Sequence, residues 1–158
     1  SFDEGMKKLN GYGFSSALKD RVAVGDANIL GICLGMQMLG DGSEEGALPG
    51  LSLIPGLCVK FKTQNMNDLR VPHMGWTNVI FNRLVGGNYQ DVVESQRFYF
   101  VHSYYFVPND RLDVMGSSVY GIEFASAINR GKVTGVQFHP EKSHSFGKKF
   151  FKEYLGEQ

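Results

Sequence analysis

Phe2, Met6 and Leu9 recur at helical spacing, and Phe14, Leu18 and Val22 repeat the pattern after a Gly-Tyr-Gly break. Two short helices are predicted first, with Ser15 and Ser16 as possible caps of the second. Asn28-Ile29-Leu30-Gly31-Ile32 is then a short apolar run with no polar alternation, the pattern of a strand buried on both faces, and it reads as the central strand. A helical pattern follows at once from Leu34 to Leu39. Further on, apolar residues alternate with Cys58 and Lys60 between Leu57 and Phe61, and strand-like runs rich in Val, Phe and Tyr span Val71 to Phe81 and Arg97 to Val107. Gly86-Gly87-Asn88 reads as a hairpin turn. Lys132 to Phe138 is a last strand, and Phe146, Phe150 and Tyr154 mark a closing amphipathic helix that carries Lys148, Lys149 and Lys152 outward. The expectation is one continuous α/β domain over residues 1–158 with a mixed sheet, without repeats or linkers.

Composition narrows the partners. With 158 residues, 42% hydrophobic and 20% charged, the chain is of ordinary size for one globular domain. Sixteen basic residues balance sixteen acidic ones, so no basic field points to nucleic acid or anionic lipid, and small molecules or proteins are expected instead. Two cysteines make no disulfide framework and suit a reducing, cytoplasmic setting. No apolar run approaches the roughly 20 residues of a membrane span. The first residue is Ser1 and the opening reads as a helix in progress, so an N-terminal stretch is expected to precede it.

Gly31-Ile32-Cys33-Leu34-Gly35 has the Gly-x-nucleophile-x-Gly form between a buried strand and a helix, the context of a nucleophile elbow. The glycines are expected where side chains would collide with neighbouring backbone, and the helix N-terminus is expected to stabilise the Cys33 thiolate. Cys58 has no such context and reads as a buried structural residue. Near the other end, Phe138-His139-Pro140-Glu141 sets a histidine just past an apolar strand with a carboxylate two residues on and a proline stiffening the turn. A thiol needs an imidazole to take its proton and return it to a leaving amine, and a carboxylate fixes the imidazole tautomer. His73, His102 and His144 raise the question of zinc, but neither a Cys-x-x-Cys pair nor a His-Glu-x-x-His helix accompanies them. No metal or cofactor is expected.

Gly31-Ile32-Cys33-Leu34-Gly35-Met36-Gln37 together with Gly135-Val136-Gln137-Phe138-His139-Pro140-Glu141-Lys142-Ser143 resembles the triad-type class I glutamine amidotransferases. Val71-Pro72-His73-Met74-Gly75-Trp76 and Phe98-Tyr99-Phe100-Val101-His102-Ser103-Tyr104 look like the glutaminase subunits of imidazole glycerol phosphate synthases among them, and the likeness runs through essentially the whole chain. The resemblance implies a flavodoxin-like three-layer fold. It implies a triad of Cys33, His139 and Glu141 that hydrolyses L-glutamine to glutamate and ammonia through a γ-glutamyl thioester. It further implies that Gln37, Glu45 and the backbone of Gly35, Ser103 and Tyr104 hold the glutamine, and that the Leu34 N–H is one oxyanion donor. The partner implied is a (β/α)8-barrel synthase (cyclase) subunit that uses the ammonia to make imidazole glycerol phosphate and an aminoimidazole carboxamide ribotide in histidine biosynthesis. His73, Met74, Trp76 and Lys142 match the stretch that faces this partner.

Two departures qualify the resemblance. Thr77 stands where the family usually has asparagine, which brings in a paralogous glutaminase feeding a sugar amidotransferase of surface-polysaccharide synthesis. In the family, a glycine-rich oxyanion loop immediately precedes the stretch matching Ser1-Phe2-Asp3-Glu4, after the first strands and helix of the sheet. An N-terminally incomplete chain is expected on that ground, with a catalytically silent, partner-binding domain as the non-enzymatic alternative.

Overall fold

The computed structural model describes residues 1–62, 69–82 and 94–156. The Gly86-Gly87-Asn88 segment lies outside these residues. Helix α1 (Phe2–Gly11) buries Phe2 and Met6, one turn apart, and its first turn carries Asp3 and Glu4 against the positive end of the helix. Helix α2 (Phe14–Val24) is capped by Gly13, two residues before the first predicted cap, with a φ of 74° that is cheap only for glycine. Ser15 and Ser16 lie inside the first turn and bond back to the Asn10 side chain and the Gly13 carbonyl at 2.6 and 3.0 Å. No residue of α2 is fully buried, although Leu18 and Val22 pack against the core.

Strand β1 (Ile29–Ile32) leads into the short helix α3 (Leu34–Met38). The following strands are β2 (Gly42–Ser43), β3 (Gly56–Lys60), β4 (His73–Phe81), β5 (Glu94–His102), β6 (Tyr104–Pro108), β7 (Val114–Tyr120), β8 (Ile122–Arg130) and β9 (Val133–Val136). Helix α4 (His144–Leu155) closes the chain. Among the described residues nine strands form one mixed sheet in the order β2-β3-β6-β8-β7-β4-β5, with β9 joining β8 to β1. The β1–β9 and β2–β3 pairs are parallel and the rest antiparallel.

Three readings of the strands change. β1 is not central among the described residues: it pairs with β9 alone, and Ile29, Leu30 and Ile32 are only half-buried. The run from Arg97 to Val107 is two strands that break at Ser103, which brings Ser103 and Tyr104 to a bend. In β3 the phase runs against hydropathy: Cys58 faces the core, whereas Leu57 is 52% exposed and lies opposite the exposed Val107. Strands β7 and β8 had no expectation, because Gly116, Ser117, Ser118, Ala125, Ser126 and Ala127 dilute the β-branched signal.

Two hydrophobic clusters sandwich the sheet. Phe2 and Met6 of α1 and Met36 of α3 pack with Cys58, Phe106, Ala125 and Ile128 in one, while Phe150 of α4 packs with Phe98, Phe100, Phe124, Ala127 and Phe138 in the other. Residues of β8 serve both clusters because the β7–β8 register shifts about Met115 and Ser126, which turns Ala125 and Ala127 to opposite sides. The result is the α/β three-layer arrangement, with helices on both faces of a mixed sheet.

Candidate active site

The parallel β1–β9 register, Ile32 opposite Val136, brings the two polar motifs to the same end of the sheet. It is the carboxyl end of both strands, where open α/β sheets place their sites. Cys33 follows β1 with φ 51° and ψ −107°, a strained conformation for a residue with a side chain, and its N–H is fixed to the Val136 carbonyl at 2.8 Å. A Cβ on Gly31 would lie 2.7 Å from the Gly35 carbonyl carbon and oxygen and 2.8 Å from the Met36 nitrogen, so only glycine lets the chain fold back here. Gly35 is different: a Cβ there meets nothing within 4 Å, so its place in the motif does not come from crowding.

The Cys33 thiol sits 3.8 Å from the Val101 carbonyl and receives an N–H of Gln137 at 3.6 Å. Burial pushes its pKa up, against the Leu34 N–H; Glu141 adds to the rise, and Gln137 and Lys142 oppose it. The expected thiolate stabilisation at the helix start is therefore present in the Leu34 N–H but outweighed by burial. Cys58, fully buried, has its thiol pushed up to about 12 by burial and Glu45 and is inert.

Phe138, fully buried and stacked on Phe98 at 4.0 Å, anchors the chain just before His139. The His139 N–H is held by the Tyr99 carbonyl at 2.9 Å, and its carbonyl accepts the Ser143 hydroxyl at 2.6 Å. Pro140 then opens a 3-10 turn that brings Glu141 back onto the ring, with Oε1 2.6 Å from His139 Nδ1. A carboxylate only accepts, so Nδ1 carries the hydrogen and Nε2 offers its lone pair. His139 Nε2 is buried and has no hydrogen-bond partner among the described residues. An imidazole so arranged is a base with its basic nitrogen free.

Cys33, Leu34, Gln37, Glu45, Ser103 and Tyr104 line one pocket of about 210 Å³, with Val101 and His102 beside them. That is about seven waters' worth of space, suited to a small metabolite. Glu44 and Glu45 are not a freely solvated pair: Glu45 accepts the Phe2 N–H at 2.9 Å and Glu44 the Lys60 N–H at 2.6 Å. A larger concavity, about 700 Å³ against Trp76, Arg97 and Glu123, has no cysteine or histidine in its lining.

The four residues expected at a partner surface separate. Met74 is 60% exposed, Lys142 is exposed, and the half-buried Trp76 stacks flat on His144 at 5.6 Å. His73 is a correction. It is 1% exposed, packed between Phe100 and Tyr120, and bonded to His102 and Thr77, so its side chain is not available to a partner. Gln137 went unremarked in the sequence, although a glutamine between Val136 and Phe138 in an apolar strand has to be hydrogen-bonded once buried. It bridges Gln37 and the thiol.

A family model described as glutamine amidotransferase class-I matches residues 8–155. The chain is 43% identical over 158 residues to imidazole glycerol phosphate synthase subunit HisH 2 of Methanococcus maripaludis, covering 98% of this chain and 75% of that one. It is 45% identical over 155 residues to the subunit HisH 2 of Pseudomonas aeruginosa, with the same coverage. A crystal structure of a glutamine amidotransferase superposes with a TM-score of 0.68 at 20% identity, covering 95% of this chain and 72% of that one, a likeness of fold.

Proposed function

Since the chain belongs to the class I glutamine amidotransferases, we propose that it is the glutaminase subunit of an imidazole glycerol phosphate synthase, with Cys33, His139 and Glu141 as its triad. The observation that carries the site assignment is an elbow cysteine at the same end of the sheet as a histidine whose Nδ1–H is fixed by Glu141 and whose buried Nε2 has no partner among the described residues. In this reading His139 Nε2 takes the thiol proton and Cys33 Sγ bonds to the side-chain amide carbon of L-glutamine. The carbonyl electrons move onto oxygen, where the Leu34 N–H meets them. As the intermediate collapses, the C–N bond breaks, His139 returns the proton to the leaving nitrogen, and ammonia departs from a γ-glutamyl thioester. Water, deprotonated by the same nitrogen, then cleaves the thioester to glutamate and restores the thiol. Burial favours the neutral thiol at rest, so the base is needed at the moment of attack. Gln37, Glu45, Ser103 and Tyr104 hold the amino acid in the 210 Å³ pocket.

The ammonia is passed to a (β/α)8-barrel synthase subunit that docks over Met74, Trp76 and Lys142. Thr77, the residue that brought in a sugar amidotransferase partner, spends its hydroxyl on His73 at 2.8 Å inside the protein and so does not speak for that partner. The test is growth of a histidine auxotroph lacking this subunit. The full-length protein should restore growth without histidine and its Cys33→Ala variant should not at low ammonia; failure of the wild-type protein to rescue would refute the assignment.

A further inference from the structure

Two lines of buried and part-buried hydrogen bonds meet on the Tyr104 carbonyl, and the catalytic roles above use neither His73 nor His102. On one side His102 Nδ1 lies 2.8 Å from the Tyr104 oxygen, His102 Nε2 lies 2.9 Å from His73 Nδ1, and His73 Nε2 lies 2.8 Å from the Thr77 hydroxyl. On the other side Gln37 Nε2 donates to the same carbonyl at 3.3 Å and to Gln137 Oε1 at 3.1 Å, and Gln137 Nε2 donates to Cys33 Sγ at 3.6 Å. Every orientation in this chain follows from its centre. A carbonyl only accepts, so His102 carries its hydrogen on Nδ1 and presents a lone pair at Nε2, His73 must then donate from Nδ1, and its Nε2 must accept from Thr77. By the same rule Gln37 turns its amide nitrogen to Tyr104, which obliges Gln137 to face it with oxygen and to aim its own nitrogen at the thiol. Burial pushes the pKa of His73 down to about 4 and of His102 to about 3, so both rings are neutral and have one donor and one acceptor each.

From this geometry we infer that His102 and His73, set by Thr77, are positioning residues of the cysteine site, acting through the Tyr104 carbonyl on Gln37, Gln137 and the Cys33 thiol. The inference deepens the glutaminase reading and rests on it for its effect on turnover. A merely structural role would be met by an aromatic ring of the same size, since His102 packs among Phe61, Phe100 and Phe124 with ring centroids 5.3, 5.6 and 5.3 Å away. What such a ring cannot supply is the hydrogen bond to Tyr104. The two roles therefore separate in His102→Phe, which keeps shape, and His102→Asn, whose amide nitrogen falls where Nδ1 was.

The experiment uses the full-length protein assembled with its synthase subunit and reads glutamine turnover together with iodoacetamide alkylation of Cys33 at one fixed pH. His102→Phe should lower kcat and the alkylation rate by roughly tenfold each, about one hydrogen bond's worth, with KM changed less. His102→Asn should recover most of both rates. Thr77→Val, which deletes only the outermost donor, should lower both by about two- to threefold, and Thr77→Ser should restore them. If His102→Phe fails to fold, Thr77→Val and Thr77→Ser decide. Wild-type rates in a folded His102→Phe or in Thr77→Val, or a folded His102→Asn that recovers neither, would overturn the inference. Loss and recovery of alkylation in a protein that never turns over glutamine would support the positioning role while refuting the glutaminase reading.

Discussion

Alanine at each of the two glycines flanking Cys33 should have opposite effects. At Gly31 the new Cβ would stand 2.7–2.8 Å from three backbone atoms of Gly35 and Met36, against the 3.4 Å or more of ordinary contact. The turn must open by about 0.7 Å, and no flexible side chain can absorb the movement. Overpacking of this kind costs roughly 1–3 kcal/mol. For a domain of this size that lowers the melting temperature by about 2–12 °C. The same movement carries the Cys33 Sγ and the Leu34 N–H away from their working positions, so glutaminase activity should fall about a hundredfold even well below the melting point. At Gly35 a Cβ meets nothing within 4 Å, and the residue lies in helix α3, where alanine restricts the unfolded chain. Gly35→Ala should melt at the wild-type temperature or a few degrees higher, with any loss confined to glutamine affinity. Calorimetry and steady-state kinetics on both variants test this. A Gly31→Ala protein that melts and turns over like wild type, or a Gly35→Ala protein as unstable as Gly31→Ala, would refute the elbow geometry.

Glu141→Gln places an amide that can donate to His139 Nδ1 and so select the tautomer with Nε2–H; kcat should drop by roughly two to four orders of magnitude with folding intact, and a loss under tenfold would remove Glu141 from the triad. Because burial raises the Cys33 pKa above its ordinary 9.0, its alkylation by iodoacetamide in the resting protein should be slow at neutral pH and still rising above pH 9, whereas a plateau below pH 8 would contradict the burial argument. His73 and His102 titrate near 4 and 3 when folded and near 6.5 when unfolded, so the unfolded chain binds more protons between these values. Stability from these two is complete above about pH 6.5 and is lost as the pH falls, at up to about 1.4 kcal/mol per pH unit for each ring. Urea midpoints between pH 7 and 5 should show this slope reduced in His73→Phe; an unchanged slope would mean that His73 is protonated in the fold.

The candidate triad was legible because its chemistry is local in sequence: His139 and Glu141 stand two residues apart about a proline, and Cys33 sits where a buried strand becomes a helix. What tertiary structure decides was less so. His73 is a polar residue in a strand beside the exposed Met74, and nothing local says that Tyr120, far along the chain in β7, will stack on its ring and close it off. The phase of β3 was masked because Leu57 pairs across the strand with Val107 on the outer face while a cysteine fills the core position. Gly31 and Gly35 look equivalent in the motif, and only the path of the returning backbone distinguishes them. Gln137 acquires its meaning from Gln37, a hundred residues earlier, for which spacing gives no signal.

The most direct test of the account is covalent: the full-length protein, quenched in acid during turnover of L-glutamine, digested and weighed peptide by peptide. A γ-glutamyl adduct is expected on the peptide that holds Cys33, absent from Cys33→Ala and accumulating in variants that slow thioester hydrolysis. Glutamine turnover with no such adduct under any of these conditions, or with the adduct on another residue, would contradict it.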